Sequence, residues 1–272
     1  MSAVWLNGEY GEDLSISPDD RGFLLGDGAF ETLHFKDDRL RRWTRHRARL
    51  ADALETLGIA EPDWEELQAA ARGVPRENGL DDAIVRISVS RGPGGPGLDF
   101  ADDVRPTVLV TARPHPGAPG ARDLVTIDAP RRDPRSLSAA FKPLSYGDWV
   151  HARRRARERD GDMAVLLSQA GDPACADCAN LFWIKDGVVH TPSTETGALA
   201  GTTRAALIAA AAEAAVTIRE GVFRRSELAE AEAAFVTNAT LGVAPVRRLD
   251  GRELDRSHDL ILECAKLEAG AA

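Results

Sequence analysis

The sequence predicts two mixed α/β domains of similar size, an α+β arrangement with strands and helices interleaved. Three observations predict it. The chain has 272 residues, which at roughly 150 residues per domain gives one large or two modest domains. Strand-like and helix-like patterns alternate in both halves of the chain instead of segregating. Between the halves, Pro114-His115-Pro116-Gly117-Ala118-Pro119-Gly120 places three Pro and two Gly in seven residues, and neither a helix nor a central strand continues through such a run. The expected division is 1–115, a linker at 116–121, and a larger domain at 122–272.

The first half opens with strands at Ala3–Leu6 and Phe30–Phe35, and Asp37-Asp38 is a turn signal leading to Leu40–Trp43. From Thr44 the pattern turns helical: Leu50, Leu54 and Leu57 recur at i, i+4 and i+7, and Gly58 is the stop. Glu61-Pro62-Asp63 opens a second helix running to about Val74. Ala83–Ser90 and Thr107–Thr111 are β-branched strands separated by the flexible loop RGPGGPG at 91–97. The second half resumes with a strand at Leu124–Ile127 and a helix over Asp148–Arg159. Strands follow at Ala164–Leu167, Leu181–Lys185 and Val188–His190, the last two joined by the hairpin signal Asp186-Gly187. Thr202–Ala215 is Ala-rich helix, Ser226–Ala231 a short helix capped by Ser226, Ala233–Thr237 a strand and His258–Leu267 a terminal helix.

Composition narrows the function classes. Apolar residues make up 43% and charged residues 28%, close to the globular average, so bulk disorder is not expected. Lys and Arg number 34 against 43 Asp and Glu, a net charge of −9. That balance argues against nucleic acid or an anionic membrane as partner, since both need a net basic face. Cys175, Cys178 and Cys264 are an odd count and no disulfide framework. The first residues, MSAVWLNGEYGED, carry no secretory pattern, and no uncharged apolar run approaches the roughly 18 residues of a membrane span. A soluble cytoplasmic protein is the expectation.

The common catalytic constellations are thin. The six His show no i,i+4 pair, and Cys175-Ala-Asp-Cys178 lacks the second ligand pair of a structural zinc site, so no metal is expected. No GxSxG is present, and the glycine loop at 92–97 has no P-loop Lys. Two features remain. Gly201-Thr202-Thr203-Arg204 opens the Ala-rich helix, and is either a phosphate seat or a plain helix cap. Lys142, one of only four lysines, stands in Ala140-Phe141-Lys142-Pro143-Leu144, either as a desolvated nucleophilic amine or as an ordinary surface lysine.

Taken together, six collinear segments resemble the class IV aminotransferases, the fold-type IV pyridoxal 5′-phosphate enzymes with the D-amino acid aminotransferase-like fold. They are Asp20 to Leu33 (DRGFLLGDGAFETL), His46 to Leu50 (HRARL), Lys142 to Tyr146 (KPLSY), Asn180 to Pro192, Gly197 to Arg204 (GALAGTTR) and Phe235 to Val246 (FVTNATLGVAPV). The resemblance spans nearly the whole chain. It implies that Lys142 is the Schiff-base and proton-moving lysine, that Arg49 binds the cofactor phosphate as a charge-assisted fork, and that Thr202, Thr203, Ala239 and Thr240 complete the phosphate cup. It also implies that Tyr146 lies beside the cofactor, and that the enzyme is a homodimer acting on a small-molecule amine, with its site between the domains. Phe30 and Arg91 are the candidate substrate contacts, Arg91 being equally readable as a loop anchor.

One departure bears on the reaction. Family members usually carry a Glu five residues before the Asn of Asn-Leu-Phe, where it keeps the pyridine nitrogen protonated. Here that position is Cys175, with Asp172 and Asp177 the nearest carboxylates. A neutral thiol is a weak partner for the ring, so either Asp177 reaches the ring by a local shift, or the nitrogen is unprotonated, or activity is weak or lost; a weakened electron sink is the expectation. The loop Arg91-Gly92-Pro93-Gly94-Gly95-Pro96-Gly97-Leu98 is closest to that of the 4-amino-4-deoxychorismate lyases, with Pro96 and Leu98 in place of an Arg and a Tyr. A weak sink harms electron storage, which transamination needs, more than prompt expulsion of pyruvate. The expected activity is therefore the lyase reaction giving 4-aminobenzoate. A class IV aminotransferase for another amine and a catalytically weakened cofactor-binding homologue are the alternatives.

Overall fold

The computed structural model describes residues 2–95, 97–101 and 103–271; Pro96 of the glycine loop lies outside them. The chain divides into two compact units. The first contains residues up to Pro116 together with Phe141–Tyr146, and the second contains Gly117–Ala140 and the chain from Gly147 onward. Residues 141–146, with Lys142, thus group with the first unit, although the linker at 116–121 precedes them in sequence.

The first unit is built on a six-stranded antiparallel sheet. Its elements are β1 (Val4–Leu6), β2 (Glu9–Gly11), α1 (Arg21–Leu25), β3 (Gly28–Lys36), β4 (Arg39–Leu40), α2 (Trp43–Leu57), α3 (Trp64–Glu77), β5 (Asp82–Ser90) and β6 (Thr107–Pro114). The strand order is β2-β1-β6-β5-β3-β4. Side chains alternate between the faces of a strand. Leu33, Phe35, Val85, Ile87, Val89, Val108 and Val110 pack on Leu50 and Leu54 of α2 and Leu67, Ala71 and Val74 of α3. The positions between them, including Phe30, His34 and Arg86, fall on the other face. The start and stop signals act as their chemistry dictates. Asp63 caps α3 by accepting from the backbone N–H groups of Glu65 and Glu66, and Gly58 ends α2 in the left-handed conformation. Helix α3 runs on past Val74 through Pro75 to Glu77.

The second unit contains β7 (Arg122–Thr126), α4 (Leu137–Ala140), α5 (Gly147–Arg157), β8 (Met163–Leu167), β9 (Pro173–Ala176), β10 (Asn180–Lys185), β11 (Val188–Pro192), α6 (Thr202–Glu213), β12 (Ile218–Gly221), α7 (Arg225–Ala229), β13 (Ala233–Asn238), β14 (Gly242–Leu249), β15 (Arg252–Glu253) and α8 (Asp259–Gly270). The main strand order is β12-β11-β10-β13-β14-β7-β8-β9. β7 runs parallel to both β8 and β14, whereas the β10–β11 and β10–β13 pairs are antiparallel. Phe182 and Phe235, directly opposite on β10 and β13, stack with ring centroids 4.8 Å apart. They form one core with Leu207 of α6 and Ile261 and Cys264 of α8. The cap of α7 is Arg224 rather than Ser226: the Glu227 carboxylate accepts from the Arg224 backbone N–H and moves the helix start upstream. The short strand β9 had no alternating pattern to announce it, because all four of its residues are buried. No helix is long and apolar enough to cross a membrane among the described residues.

Phe235→Ala removes one partner of that stack from a fully buried site. The expected cost is about 3–5 kcal/mol, measurable as a lowered midpoint in denaturant unfolding.

Candidate active site

In the first unit, Lys142 is held by the backbone of β3. The Phe30 N–H donates to the Lys142 carbonyl at 2.9 Å, and the Leu144 N–H donates to the Gly28 carbonyl at 2.9 Å. Residues 142–144 therefore lie as a short antiparallel segment along the start of β3, with Pro143 opposite Ala29. Proline is tolerated because its missing N–H falls between those two bonds. Gly28 makes the approach possible: a Cβ there would lie 2.2 Å from the Val89 carbonyl oxygen and 2.7 Å from Leu144 Cδ1.

The Lys142 amine lies 3.2 Å from the Tyr146 hydroxyl and 4.5 Å from the centre of the Phe30 ring. Phe30 and Tyr146 meet edge to face at 5.2 Å. The Arg86 guanidinium covers the same Phe30 ring at 3.6 Å. Lys142, Tyr146, Phe30 and Arg86 thus form one cluster, an amine and a guanidinium against two aromatic rings. Arg86 was not singled out from the sequence. It is the lone charged residue within the apolar strand AIVRISVS, opposite Thr32 and on the Phe30 face, and that alternation was the signal.

On the other face of β3, Glu31 is buried. Its carboxylate accepts from Arg49 Nε at 2.6 Å and Nη2 at 2.7 Å, and from His46 Nδ1 at 2.6 Å. Burial alone would raise its pKa, but Arg49 and His46 together outweigh it and hold the carboxyl at about 2. Arg49 is thereby fixed in plane and position by its bidentate pair.

Arg91 turns out to be a loop anchor. It forks onto Asp27 at 2.8 and 3.1 Å and donates to the Leu57 and Gly58 carbonyls at 2.7 and 3.0 Å. Four of its five N–H donors hold the strand end, which favours the anchor over the substrate contact.

In the second unit, Gly201 caps α6 with no side-chain contribution. A Cβ on it would lie 2.0 Å from Asn180 Oδ1, and Asn180 Nδ2 donates to the Leu199 carbonyl at 2.8 Å. Thr202 and Thr203 are buried in the first turn, and the Thr203 hydroxyl has no hydrogen-bond partner. Asn180 pairs with Thr237 across the β10–β13 ladder. The chain then turns at Asn238, whose Oδ1 accepts from the Thr240 and Leu241 N–H groups at 2.9 and 2.7 Å. The Thr240 backbone N–H is therefore committed to this turn, and Ala239 stands inside it.

Cys175 is buried on β9. Burial pushes its thiol up to about 11, against a smaller opposing pull from Arg132. It is an uncharged thiol at neutral pH. Asp177 is bound elsewhere: Arg153 donates to it at 2.5 and 2.7 Å, and so does the Ala164 N–H at 3.1 Å. Cys178, three residues beyond Cys175, is exposed.

Residues 28–249 match the amino-transferase class IV family. The chain belongs to the class IV aminotransferases. It is 32% identical to a putative branched-chain-amino-acid aminotransferase of Methanocaldococcus jannaschii, over 93% of this chain and 89% of the relative. It is 28% identical to the aminodeoxychorismate lyase of Vibrio harveyi, over 92% of each chain. Among solved structures, the branched-chain amino acid aminotransferase of Escherichia coli superposes with a TM-score of 0.91 at 25% identity, covering 97% of this chain and 92% of the other. A putative 4-amino-4-deoxychorismate lyase of Legionella pneumophila gives 0.89 at 25% identity, covering 95% and 96%. The mixed α/β architecture is that of fold-type IV.

Class IV aminotransferases are pyridoxal 5′-phosphate enzymes, and the residues here fit that cofactor. A buried hydroxyl without a partner, Thr203 Oγ1, stands in the first turn of a twelve-residue helix. A buried polar atom needs a partner, and a phosphate oxygen at a helix N-terminus supplies one. The glycine before it keeps the turn bare of side chain.

The Glu31 cluster makes acid sensitivity calculable. Its folded pKa lies below the ordinary 4.5, at about 2. Its contribution, about 3 kcal/mol, is therefore complete above pH 4.5 and is lost as pH falls towards 2. Glu31→Gln is expected to lower stability at pH 7 and to flatten the pH dependence between 4.5 and 2, read by denaturant melts across that range.

Proposed function

We propose that the chain is a 4-amino-4-deoxychorismate lyase, releasing pyruvate and leaving 4-aminobenzoate. The observation that carries this reading is the buried, uncharged Cys175 thiol, beside an Asp177 already spent on Arg153. Pyridoxal phosphate supplies an aldehyde that takes up amines and a ring that draws electrons from the adjoining carbon. The residues of this chain divide the remaining work. Lys142 is the amine that holds the cofactor and then moves a proton at the substrate carbon bearing nitrogen. The Tyr146 hydroxyl, 3.2 Å away, orients that amine. The Phe30 ring excludes water from one side of it. Arg86 is exposed, and no acidic side chain pairs with it among the described residues; it receives a substrate carboxylate. Thr203, whose buried hydroxyl has no partner, takes a cofactor phosphate oxygen. With an uncharged thiol at the position where the family usually carries a carboxylate, the cofactor's electron withdrawal would be weak, which favours expelling the pyruvate group at once over storing electrons.

A second reading, an aminotransferase, is favoured by the 32% identical relative of that name. The substrate separates them. Purified protein loaded with cofactor is given 4-amino-4-deoxychorismate, with 4-aminobenzoate and pyruvate both measured, and separately a panel of L- and D-amino acids, with pyridoxamine phosphate measured. The lyase reading expects equimolar products from the first and slow conversion in the second; the reverse pattern overturns it. Lys142→Ala should abolish both, and borohydride reduction of the loaded protein should place the cofactor mass on Lys142. Cys175→Glu should raise amino-acid conversion relative to the lyase rate.

Arg86→Ala should raise KM for a carboxylate substrate about 10–100-fold, the worth of one charge-assisted contact, with a smaller change in kcat. Lys at 86 should restore part of it.

We also infer a homodimer in a reducing compartment. Phe23 and Leu98, 80% and 85% exposed in the single chain, offer apolar surface for a second copy, and Cys175, Cys178 and Cys264 form no disulfide.

A further inference from the structure

Away from Lys142, the outer face of the first unit's sheet gathers a second group of side chains that the proposed reaction does not use. His34 lies on β3, Asp82 opens β5 and His115 follows the last residue of β6. These strands are neighbours in the order β6-β5-β3. Lys36 pairs with Asp82 and Ala83 with Pro114, so His34, Asp82 and His115 share one face and one end of the sheet. The His115 N–H donates to the Asp82 carbonyl at 3.1 Å, which continues the ladder one residue beyond the strand.

The donor atoms converge. His34 Nε2 lies 2.7 Å from Asp82 Oδ1, His115 Nδ1 lies 3.8 Å from the same oxygen, and all three atoms lie within 4.8 Å of one another. The two imidazoles stack at 4.3 Å with 21° between their planes. The histidine side chains are 13% and 11% exposed. We propose that His34, Asp82 and His115 form a binding site for one divalent transition-metal ion of the zinc type.

Spacing and chemistry support it. Around a tetrahedral ion with bonds of about 2.0–2.1 Å, ligand atoms lie about 3.3 Å apart. The observed 2.7 and 3.8 Å bracket that value. The ion takes the place of the hydrogen bond between His34 and Asp82, the Nε2 proton passing to Nδ1 by tautomerisation. The His115 ring swings out of its stack to aim Nδ1 at the ion, and water fills the fourth position. Lys36 Nζ lies 3.3 Å from the other carboxylate oxygen, which restricts Asp82 to one ligand atom. Lys36 and the nearby Arg41, whose charge acts on His34, disfavour ions held by net negative charge. Calcium and magnesium need an oxygen-rich, acidic cage, whereas two imidazoles and one carboxylate suit zinc and its neighbours. Binding here ties three strands together at the sheet end next to the 116–121 segment.

The test uses tag-free, chelator-treated protein carrying its cofactor. Titration with Co²⁺ followed by its visible absorption, and with Zn²⁺ by calorimetry, should show one saturable site per chain, with a rise in Tm under Zn²⁺ and none under Mg²⁺. His34→Ala and His115→Ala should each weaken binding about tenfold or more, since even outer-shell changes cost about that much. Lys142→Ala, which removes the amine of the proposed reaction, should leave the titration unchanged, so this inference and the lyase reading fail separately. His115 lies past the end of its strand, so His115→Ala decides the matter if His34→Ala does not fold. Absence of saturable binding, or binding unaltered in His115→Ala, overturns the proposal.

Discussion

Glu31 is a carboxylate shut away from water, and its charge persists only because Arg49 and His46 meet it there. Burying a charge is expensive, and removing one partner of such a group costs more than the pair itself contributes. That constraint fixes the register of β3. Side chains alternate along a strand, so a slip by one residue would turn Glu31 outward and push Phe30 into the helices. With Glu31 inward, Phe30 must face outward, and its backbone N–H holds the Lys142 carbonyl. The placement of the Lys142 amine therefore follows from an ion cluster on the opposite side of the same strand.

The two units handle charge differently. In the first, Lys142 and Arg86 share the Phe30 ring, an arrangement that holds cations against apolar surface. In the second, the available carboxylate is neutralised: Asp177 is closed off by Arg153, and Cys175 beside it remains a thiol. One unit gathers positive charge against an aromatic ring, while the other closes off its carboxylate. Such a division suits binding carboxylates and phosphates better than holding a protonated ring nitrogen.

Much of this was legible in the residue order. Gly58, Asp63 and Asp186-Gly187 act locally, through backbone conformation and short-range hydrogen bonds, so the element ends beside them were found within a residue or two. Lys142 and the Gly201-Thr202-Thr203 turn were visible because few lysines and few such turns compete. Nonlocal contacts were not legible. Arg91 was singled out and Arg86 was not, and only the packing shows Arg91 bound to Asp27 and two carbonyls. His34, Asp82 and His115 are far apart in sequence, so no spacing rule could join them. β9 escaped because an all-buried four-residue strand has no alternation to read.

The chain passes between its two compact units three times, and the middle visit deposits only residues 141–146 in the first. A fragment ending at the proline-glycine linker would thus keep the sheet and helices of that unit yet lack Lys142. Splitting the gene there, or exchanging its halves with a relative's, would hand Lys142 over with the wrong partner. Evolution by swapping these modules is therefore constrained: β3 and the Lys142 segment must be inherited together to keep their two shared backbone bonds.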